Sequence, residues 1–295
     1  MLGHRTAVEE ARQQVAGARE HAHRAARRAS PWLERLARLG FAAKGVVYVL
    51  VGVLAAQAAA GVGGDTTDTH GALEHVLEAP FGRIGLAVIA LGLAGYALWA
   101  FVQAALDVDD DGTDSLGLLR RAGHAVVGVT YAGLVVWAVG LLVGANGDRP
   151  EPSDPTHDRT VWLMSQPVGA WLVGLVGAAV IGVGLCELWK AWRGDPCADN
   201  DVRVDELRPR HQKWVDRVAR VGYAAHGVTL GLIGGFLVGA AVQAQPDEAR
   251  GLGGALSTLA TQPEGPWLLG LVAAGLVAYG LFMLVQARYR QVAVR

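Results

Sequence analysis

The sequence has few charged residues and almost no cysteine. Charged residues make up 18% of its 295 positions, whereas soluble proteins carry about 25%. The two cysteines, Cys186 and Cys197, do not form a disulfide framework, and their spacing matches no metal-binding motif. The net charge of −1 provides no global field that would attract nucleic acid. These shortages argue against a disulfide-stabilised secreted domain, a zinc protein and a nucleic-acid-binding protein.

The familiar signatures of catalysis and nucleotide binding are also missing. The sequence holds no Gly-x-x-x-x-Gly-Lys-Ser/Thr loop, no His-Glu-x-x-His and no Gly-x-Ser-x-Gly. Those patterns cradle phosphates, bind zinc or present a serine nucleophile. Asp107–Gly112 resembles the start of a calcium loop, but the twelfth position, which needs Glu, is Leu118. We therefore expect a non-enzymatic protein with no cofactor and no bound metal.

Long apolar runs are the main feature that is present. Hydrophobic residues make up 52% of the chain, and they cluster in six runs of about 20 residues, the length that crosses a bilayer. The runs lie near 39–60, 82–105, 122–144, 168–190, 221–243 and 266–287. Residues 1–34 are polar and too long for the start of a signal peptide, so we expect none before the first run. The pattern predicts six membrane-spanning helices in a lipid bilayer.

The spans occur as three copies of one two-span unit. Each copy opens on an Arg followed by two glycines five residues apart: Arg38, Gly40 and Gly45; Arg121, Gly123 and Gly128; Arg220, Gly222 and Gly227. The second span of each copy follows a Pro-x-Gly sequence at Pro80, Pro167 or Pro263, where Pro suits the first turn of a helix. Agreement at these fixed offsets indicates an internal repeat, and we interpret these residues as structural.

Basic residues are concentrated on one side of the predicted spans. Of the 26 Lys and Arg residues, 21 lie before the first span, after the last, or in the loops 106–121 and 190–220. Because cytoplasmic segments carry such an excess, both termini are expected to be cytoplasmic. The three units then run in the same sense, and we expect a pseudo-threefold axis along the membrane normal to relate them.

This all-α membrane protein is predicted to divide into six segments. The repeats are 38–106, 121–193 and 220–290. A basic, Ala-rich cytoplasmic helix precedes them at 1–37, and an acidic loop (107–120) and a charged loop (194–219) separate them. The charged region 190–220 is the expected docking surface for any protein partner.

Small residues at intervals of four indicate close helix packing. Gly227, Gly231, Gly235 and Gly239 follow one face of the fifth span, and Ala170, Gly174, Ala178 and Gly182 follow one face of the fourth. Small residues let helix backbones approach closely in lipid, as in a glycine zipper. We expect packing within the bundle, with a homo-oligomer face as the alternative.

Ionisable residues inside the spans are the candidate functional residues. Lys44, Val127 and His226 share one repeat position, six residues past the repeat Arg, and His124 lies about one turn earlier. Ionisable groups in a membrane are costly, which makes them candidates for a solute or proton path. The alternative is interfacial, because Lys44 can extend to the head groups and a His can bond a backbone carbonyl.

Glu187 is the one acidic residue within the six predicted runs. Lys190 follows it by three residues, so the two are expected to form an ion pair on one helix face. A carboxylate that couples an ion to transport is the alternative function for Glu187.

The three Arg-x-Gly-x-Ala-x-x-Gly-Val entries, each followed by a helix that starts at Pro-x-Gly, resemble a bacterial membrane family known as domain of unknown function 1206. The resemblance covers about residues 38–290. It implies three tandem two-helix units in a bacterial cytoplasmic (inner) membrane, and it supplies no catalytic residue. We expect a structural or interaction protein, with a small-solute or proton-linked transporter or channel as the alternative.

Overall fold

The structure is a computed structural model that describes residues 32, 34–106, 115–144, 155–194, 197, 202 and 208–290. Six described helices are long and apolar enough to cross a membrane, as the sequence predicts. They are α1 (Glu34–Ala60), α3 (Gly82–Leu106), α4 (Ser115–Leu142), α6 (Gly169–Trp192), α7 (Pro209–Gln243) and α9 (Gly265–Tyr289). The predicted helix near the N-terminus and the acidic turn Asp107–Gly112 lie outside the described residues.

A short helix precedes the second span of every repeat. These helices are α2 (Thr69–Glu78), α5 (Pro155–Met164) and α8 (Leu252–Ala260). The first and third share a Gly-Ala-Leu sequence that starts at Gly71 and Gly254, nine residues before the repeat proline. Their Ala and Leu residues are buried alike, with Ala72, Leu73, Ala255 and Leu256 all at 0% exposure. The helix α5 lacks that sequence.

The Pro-x-Gly sequence forms a tight turn between the short helix and the following span. In the first repeat the Gly82 N–H donates to the Ala79 carbonyl at 2.8 Å, and Phe81 has φ 61°. The Gly169 N–H donates to Gln166 in the same way, at 2.9 Å. Each span starts at the glycine, so the proline lies in the turn and not in the first helical turn as predicted. Proline at the second position of a β-turn has its φ preset for that role.

The six spans are arranged in the order α4, α3, α1, α9, α7, α6, each packed against the next. Within the first and third repeats the two spans pack in the same way. A Cβ placed on Gly40 would lie 2.6 Å from Tyr96 Cβ, and one on Gly222 would lie 2.6 Å from Tyr279 Cα. These glycines are repeat-equivalent, as are the tyrosines. The sequence therefore encodes the same helix pairing twice.

Contacts between repeats also recur, at the second glycine of each repeat entry. A Cβ on Gly45 would lie 2.7 Å from the carbonyl oxygen of Gly280, where α1 meets α9. One on its equivalent Gly227 would lie 2.7 Å from the Gly184 oxygen, where α7 meets α6. The third equivalent, Gly128, faces the ring of Phe101 on α3. Each first span thus packs against the second span of another repeat.

Only part of the predicted glycine stripe makes close contacts between helices. Gly227 contacts α6, but a Cβ on Gly231 or Gly235 would meet nothing within 4 Å, and the same holds for Gly182 on α6. The second close approach on α7 comes from Gly234, whose Cβ would lie 2.7 Å from the Gly177 oxygen. An interval of seven, rather than four, keeps a contact along two helices that cross at a small angle.

One junction in this arrangement is open. The helices α4 and α6 belong to the same repeat, yet they do not pack along each other as α1 does with α3. A Cβ on Gly123 would meet nothing within 4 Å, and Val126 and Val183 are 65% and 53% exposed. In the most apolar stretches of α4 and α6, 17% and 22% of residues are buried, against 33–50% in the other spans. We name this junction the α4–α6 seam.

Two of the three repeat arginines, Arg121 and Arg220, bind the ends of neighbouring spans. The Arg121 guanidinium donates to the Ala104 and Ala105 carbonyls at 2.9 and 3.0 Å, at the end of α3. Arg220 lies 3.4 Å from the Ala191 and Trp192 carbonyls at the end of α6, and it also bonds Asp216. A cation at these carbonyls satisfies orphan acceptors and interacts favourably with the helix dipole.

We predict that two alanine substitutions on α7 differ in their effect on stability. Gly227→Ala should destabilise the protein by about 1–3 kcal/mol, because the added methyl group overlaps the Gly184 backbone. Gly231→Ala, its matched control one turn away, adds a methyl group in open space and should cost nothing. Thermal unfolding of both variants in the same detergent measures the difference. Equal melting temperatures would show that the α6–α7 contact is looser than described.

A second prediction concerns the start of α2. The Asp68 carboxylate accepts hydrogen bonds from the N–H groups of His70 and Gly71, at 2.9 and 3.0 Å. Burial raises the pKa of Asp68, but hydrogen bonding outweighs burial and leaves the pKa below its ordinary value. Stability from this group is therefore present above the unfolded pKa of about 4, and it is lost as pH falls through the lowered folded value.

Asp68→Asn keeps an oxygen that can cap the helix and removes the charge. We expect the variant to melt at a lower temperature than the wild type at pH 7. This difference in melting temperature should narrow as pH falls below about 4. Melting curves collected between pH 3 and pH 7 test this. A gap that stays constant over that range would mean that ionisation of Asp68 contributes nothing.

Candidate functional site

All six spans contribute side chains to one buried polar cluster. The cluster lies among the six helices, about two turns past the repeat arginines of α1 and α7. Two residues come from α1 and one from each other span: Lys44, Tyr48, Tyr96 (α3), Tyr131 (α4), Glu187 (α6), His226 (α7) and Tyr279 (α9). We name these seven residues the central cluster.

Lys44 is enclosed by aromatic rings. Its Nζ lies 5.1–5.8 Å from the ring centroids of Tyr48, Tyr96, Tyr131 and Tyr279. It donates one long hydrogen bond, 3.4 Å, to the Tyr96 hydroxyl. In the described part of the chain, no carboxylate oxygen lies within 4.0 Å of it. Four π-faces stabilise the ammonium, since each attracts a cation, but they do not neutralise its charge.

His226 links two other members of the central cluster. Its Nδ1 lies 2.6 Å from Glu187 Oε2, and its Nε2 lies 3.0 Å from the Tyr48 hydroxyl. These three groups come from α7, α6 and α1, and they form a continuous hydrogen-bonded chain. The imidazole also stacks on the Tyr279 ring, with centroids 4.2 Å apart and planes 2° from parallel. The ring of His226 is therefore fixed in position on both edges and one face.

The hydrogen-bonding partners constrain where protons reside. A carboxylate only accepts, so with Glu187 ionised the Nδ1 of His226 carries the proton, and Nε2 accepts from the Tyr48 hydroxyl. If the imidazole gains a second proton, that proton sits on Nε2 and the Tyr48 oxygen accepts. Either arrangement of protons keeps the same positions of the heavy atoms.

Further polar groups are buried between the central cluster and the end of the bundle that carries the termini. Gln103 and Gln286 occupy the same repeat position, 23 residues past Pro80 and Pro263, and they are 7% and 1% exposed. The Nε2 of Gln286 has no hydrogen-bond acceptor within the described residues. Buried polar atoms usually have a partner, so the partner of this amide lies outside the described residues.

The structure brings three of the four candidate ionisable residues together. Lys44 and His226, predicted to lie at one level, both contact Tyr48 and Tyr279. Lys44 is 9% exposed, so it points into the tyrosines rather than towards head groups. Val127 holds the equivalent place on α4. His124 lies one turn earlier on α4, is half buried, and is not part of the central cluster.

The predicted ion pair between Glu187 and Lys190 is wrong. Glu187 was expected to pair with Lys190 on its own helix, but it binds His226 across the α6–α7 interface, with side-chain exposures of 14% and 10%. The reason lies in the packing described above. The close approach of Gly184 to Gly227 brings the following turn of α6 next to the preceding turn of α7.

The tyrosines were missed as functional residues. Their signal was present in the repeat alignment, because Tyr48 and Tyr131 share one position and Tyr96 and Tyr279 share another. Within each two-span unit such residues could have been core residues. The feature that could have identified them is their register with Lys44, one helical turn from Tyr48 on the same face of α1.

Comparison with known proteins identifies the family. The model of the family Domain of Unknown Function (DUF1206) matches residues 39–107, 122–194 and 221–290. The chain therefore belongs to this family, and it carries three tandem copies of the unit.

A relative supports the same assignment over nearly the whole chain. An uncharacterized Bacillus subtilis (strain 168) protein, YxxB, is 33% identical over 262 residues, covering 88% of this chain and 92% of the relative. No solved structure matches the chain.

We predict that the Tyr48–His226 hydrogen bond stabilises the protein. Tyr48→Phe removes the hydroxyl and leaves a buried imidazole nitrogen without its partner, so it should cost about 1–3 kcal/mol. The matched control is a double-mutant cycle with His226→Leu, in which the loss from Tyr48→Phe should fall by about 1 kcal/mol. Additive losses in chemical unfolding would show that the two groups do not interact.

Proposed function

We propose that this protein is a non-enzymatic, proton-linked transporter or channel for a small solute, with the central cluster as its binding site. The observation that carries the proposal is the convergence of all six spans on Lys44 and on the chain Glu187–His226–Tyr48. A site built from every span changes with any relative movement of the helices. Transport requires that coupling between site and helix movement.

The cost of burying charge supports a function for the central cluster. A charged side chain at membrane depth costs about 2.5–3.5 kcal/mol even on insertion scales, so such groups usually mark substrate or proton pathways. An aliphatic residue would fill the place of Lys44, as Val127 does at the same position of the second repeat. The glycine contacts lie between neighbouring helices, whereas the interior holds phenolic and charged groups.

A structural or interaction protein is the second candidate. The repeated backbone contacts at Gly45 and Gly227 favour it, because they make a rigid helical frame. In this case the charged region 190–220 is the proposed docking surface for a protein partner. The frame and the central cluster are compatible, but the frame alone does not account for Lys44.

We also propose how the chain sits in the membrane. The recurring contacts of Gly45, Gly128 and Gly227 with a neighbouring repeat support the pseudo-threefold arrangement, with the α4–α6 seam as its one departure. The excess of Lys and Arg beside the termini supports a cytoplasmic location for both ends. The six apolar spans, together with a relative from a bacterium, Bacillus subtilis, support our proposal of a bacterial cytoplasmic membrane.

Proton movement tests the proposal directly. The protein is reconstituted in phosphatidylcholine vesicles that contain a pH-sensitive dye, and a potassium diffusion potential drives protons inward. We expect the wild type to acidify the lumen, and Glu187→Gln and His226→Gln to reduce the rate at least tenfold, because each interrupts the hydrogen-bonded chain.

His157→Gln is the matched control, since His157 lies on α5 outside the spans. It should acidify the lumen at the wild-type rate. A wild-type rate equal to that of protein-free vesicles would overturn the proton-linked function. Equal rates for wild type and Glu187→Gln would place the proton path elsewhere.

A further inference from the structure

We propose that the α4–α6 seam is a lateral entrance through which a single-chain anionic amphiphile of the membrane, such as a fatty acid, reaches Lys44. The proposal rests on the function of the central cluster given above and names the class of its ligand. It follows from three observations: an open junction in an otherwise packed set of helices, a buried cation without a carboxylate partner among the described residues, and the hydrogen-bonded chain Glu187–His226–Tyr48 beside it.

The seam is specific to the second repeat. In the first and third repeats, a glycine of the first span packs against the backbone of a tyrosine of the second span. Gly40 meets Tyr96, and Gly222 meets Tyr279. The second repeat has Gly123 and Val183 at these positions. In those repeats the tyrosine ring also packs edge-on against Phe41 or Tyr223 of the first span, with ring centroids 5.3 and 5.7 Å apart, and valine has no ring to make that contact. The composition of one repeat thus explains why one junction of six is open.

The surface of the seam is apolar. Its helices expose Val126 and Val183, and further along them Leu119 and Leu175 are each 68% exposed. In a bilayer an alkyl chain covers such an apolar surface without a cost in free energy, whereas hydrating it would be unfavourable. The occupant of the seam therefore carries a hydrocarbon chain.

Polar members of the central cluster stand behind the seam. Each of its two helices supplies one of them, Tyr131 from α4 and Glu187 from α6. Tyr131 packs against Tyr96 with ring centroids 4.7 Å apart, and its ring lies 5.5 Å from Lys44 Nζ. A head group that passes between α4 and α6 would meet these two side chains first and the ammonium next.

Charge selects the head group. Glu187 is already paired with His226 at 2.6 Å, whereas the described neighbours of Lys44 are tyrosine rings and hydroxyls, which carry no negative charge. An ammonium can donate three hydrogen bonds, and its preferred partner is an anion. A carboxylate beside Lys44 would neutralise the charge that the tyrosines leave in place.

A carboxylic acid also fits the proton chemistry of the central cluster. It crosses the apolar seam in its neutral form, because the membrane disfavours charge. Inside, its O–H bond breaks, Tyr48 takes up that proton and passes its own to Nε2 of His226. The carboxylate is left beside Lys44 and the imidazolium beside Glu187. Anion and proton are then bound together, in equal number.

Binding of defined probes tests this entrance. The purified protein in phosphatidylcholine nanodiscs is incubated with oleate or with oleyl alcohol, which has the same chain and no charge. Native mass spectrometry counts the retained molecules. We expect the wild type to retain oleate at least tenfold better than the alcohol, and Lys44→Met to lose this preference.

Two substitutions at the seam and one elsewhere separate entry from general lipid binding. Val126→Trp and Val183→Trp fill the seam from α4 and from α6, and each should lower oleate retention at least tenfold. Leu91→Trp is the control, since Leu91 is 59% exposed on α3, outside the seam. Its retention should match the wild type. A single symmetric peak in size-exclusion chromatography and a wild-type melting temperature in detergent confirm that each variant is folded, and either seam variant alone suffices.

The outcomes separate this inference from the proposed function. Equal retention of oleate and oleyl alcohol by the wild type, or unchanged retention in both folded seam variants, would overturn the lateral entrance. Proton uptake that depends on Glu187 would still stand in that case. Conversely, selective oleate retention without any proton uptake would support the entrance and remove the proton-linked function.

Discussion

The structure depends on the close approach of helix backbones at glycine. At Gly45 and Gly280, and again at Gly227 and Gly184, a Cβ atom on one helix would lie within 2.7 Å of a carbonyl oxygen on the next. Lipid supplies no hydrophobic force between helices, so tight packing at small residues holds them together. With the helices this close, the side chains of all six spans meet in one place.

The central cluster is a product of the repeat and of its differences. Equivalent tyrosines on α1 and α4, and on α3 and α9, surround Lys44. The repeat position that carries Lys44 in the first copy carries Val127 in the second and His226 in the third. If all three copies carried lysine, three ammonium groups would repel each other. The variation instead places one cation beside a histidine that is hydrogen-bonded to a carboxylate.

The fold was largely predictable, whereas the site was predictable only in part. Span length and fixed offsets identify six helices in three copies, because those signals are local in sequence. The equivalence of Lys44 and His226 placed both at one level. The partner of Glu187 could not be predicted, because it depends on which faces of α6 and α7 meet. Glycines at intervals of four and of seven coexist on α7, and only packing decides between them.

Two arginine contacts each connect one repeat to the next. The cation that satisfies the last carbonyls of α3 is Arg121, and the one beside the last carbonyls of α6 is Arg220. In both cases it belongs to the next repeat along the chain. In the folded chain, the C-terminal end of the second helix of the first and second repeats is thus completed by a side chain from the following repeat.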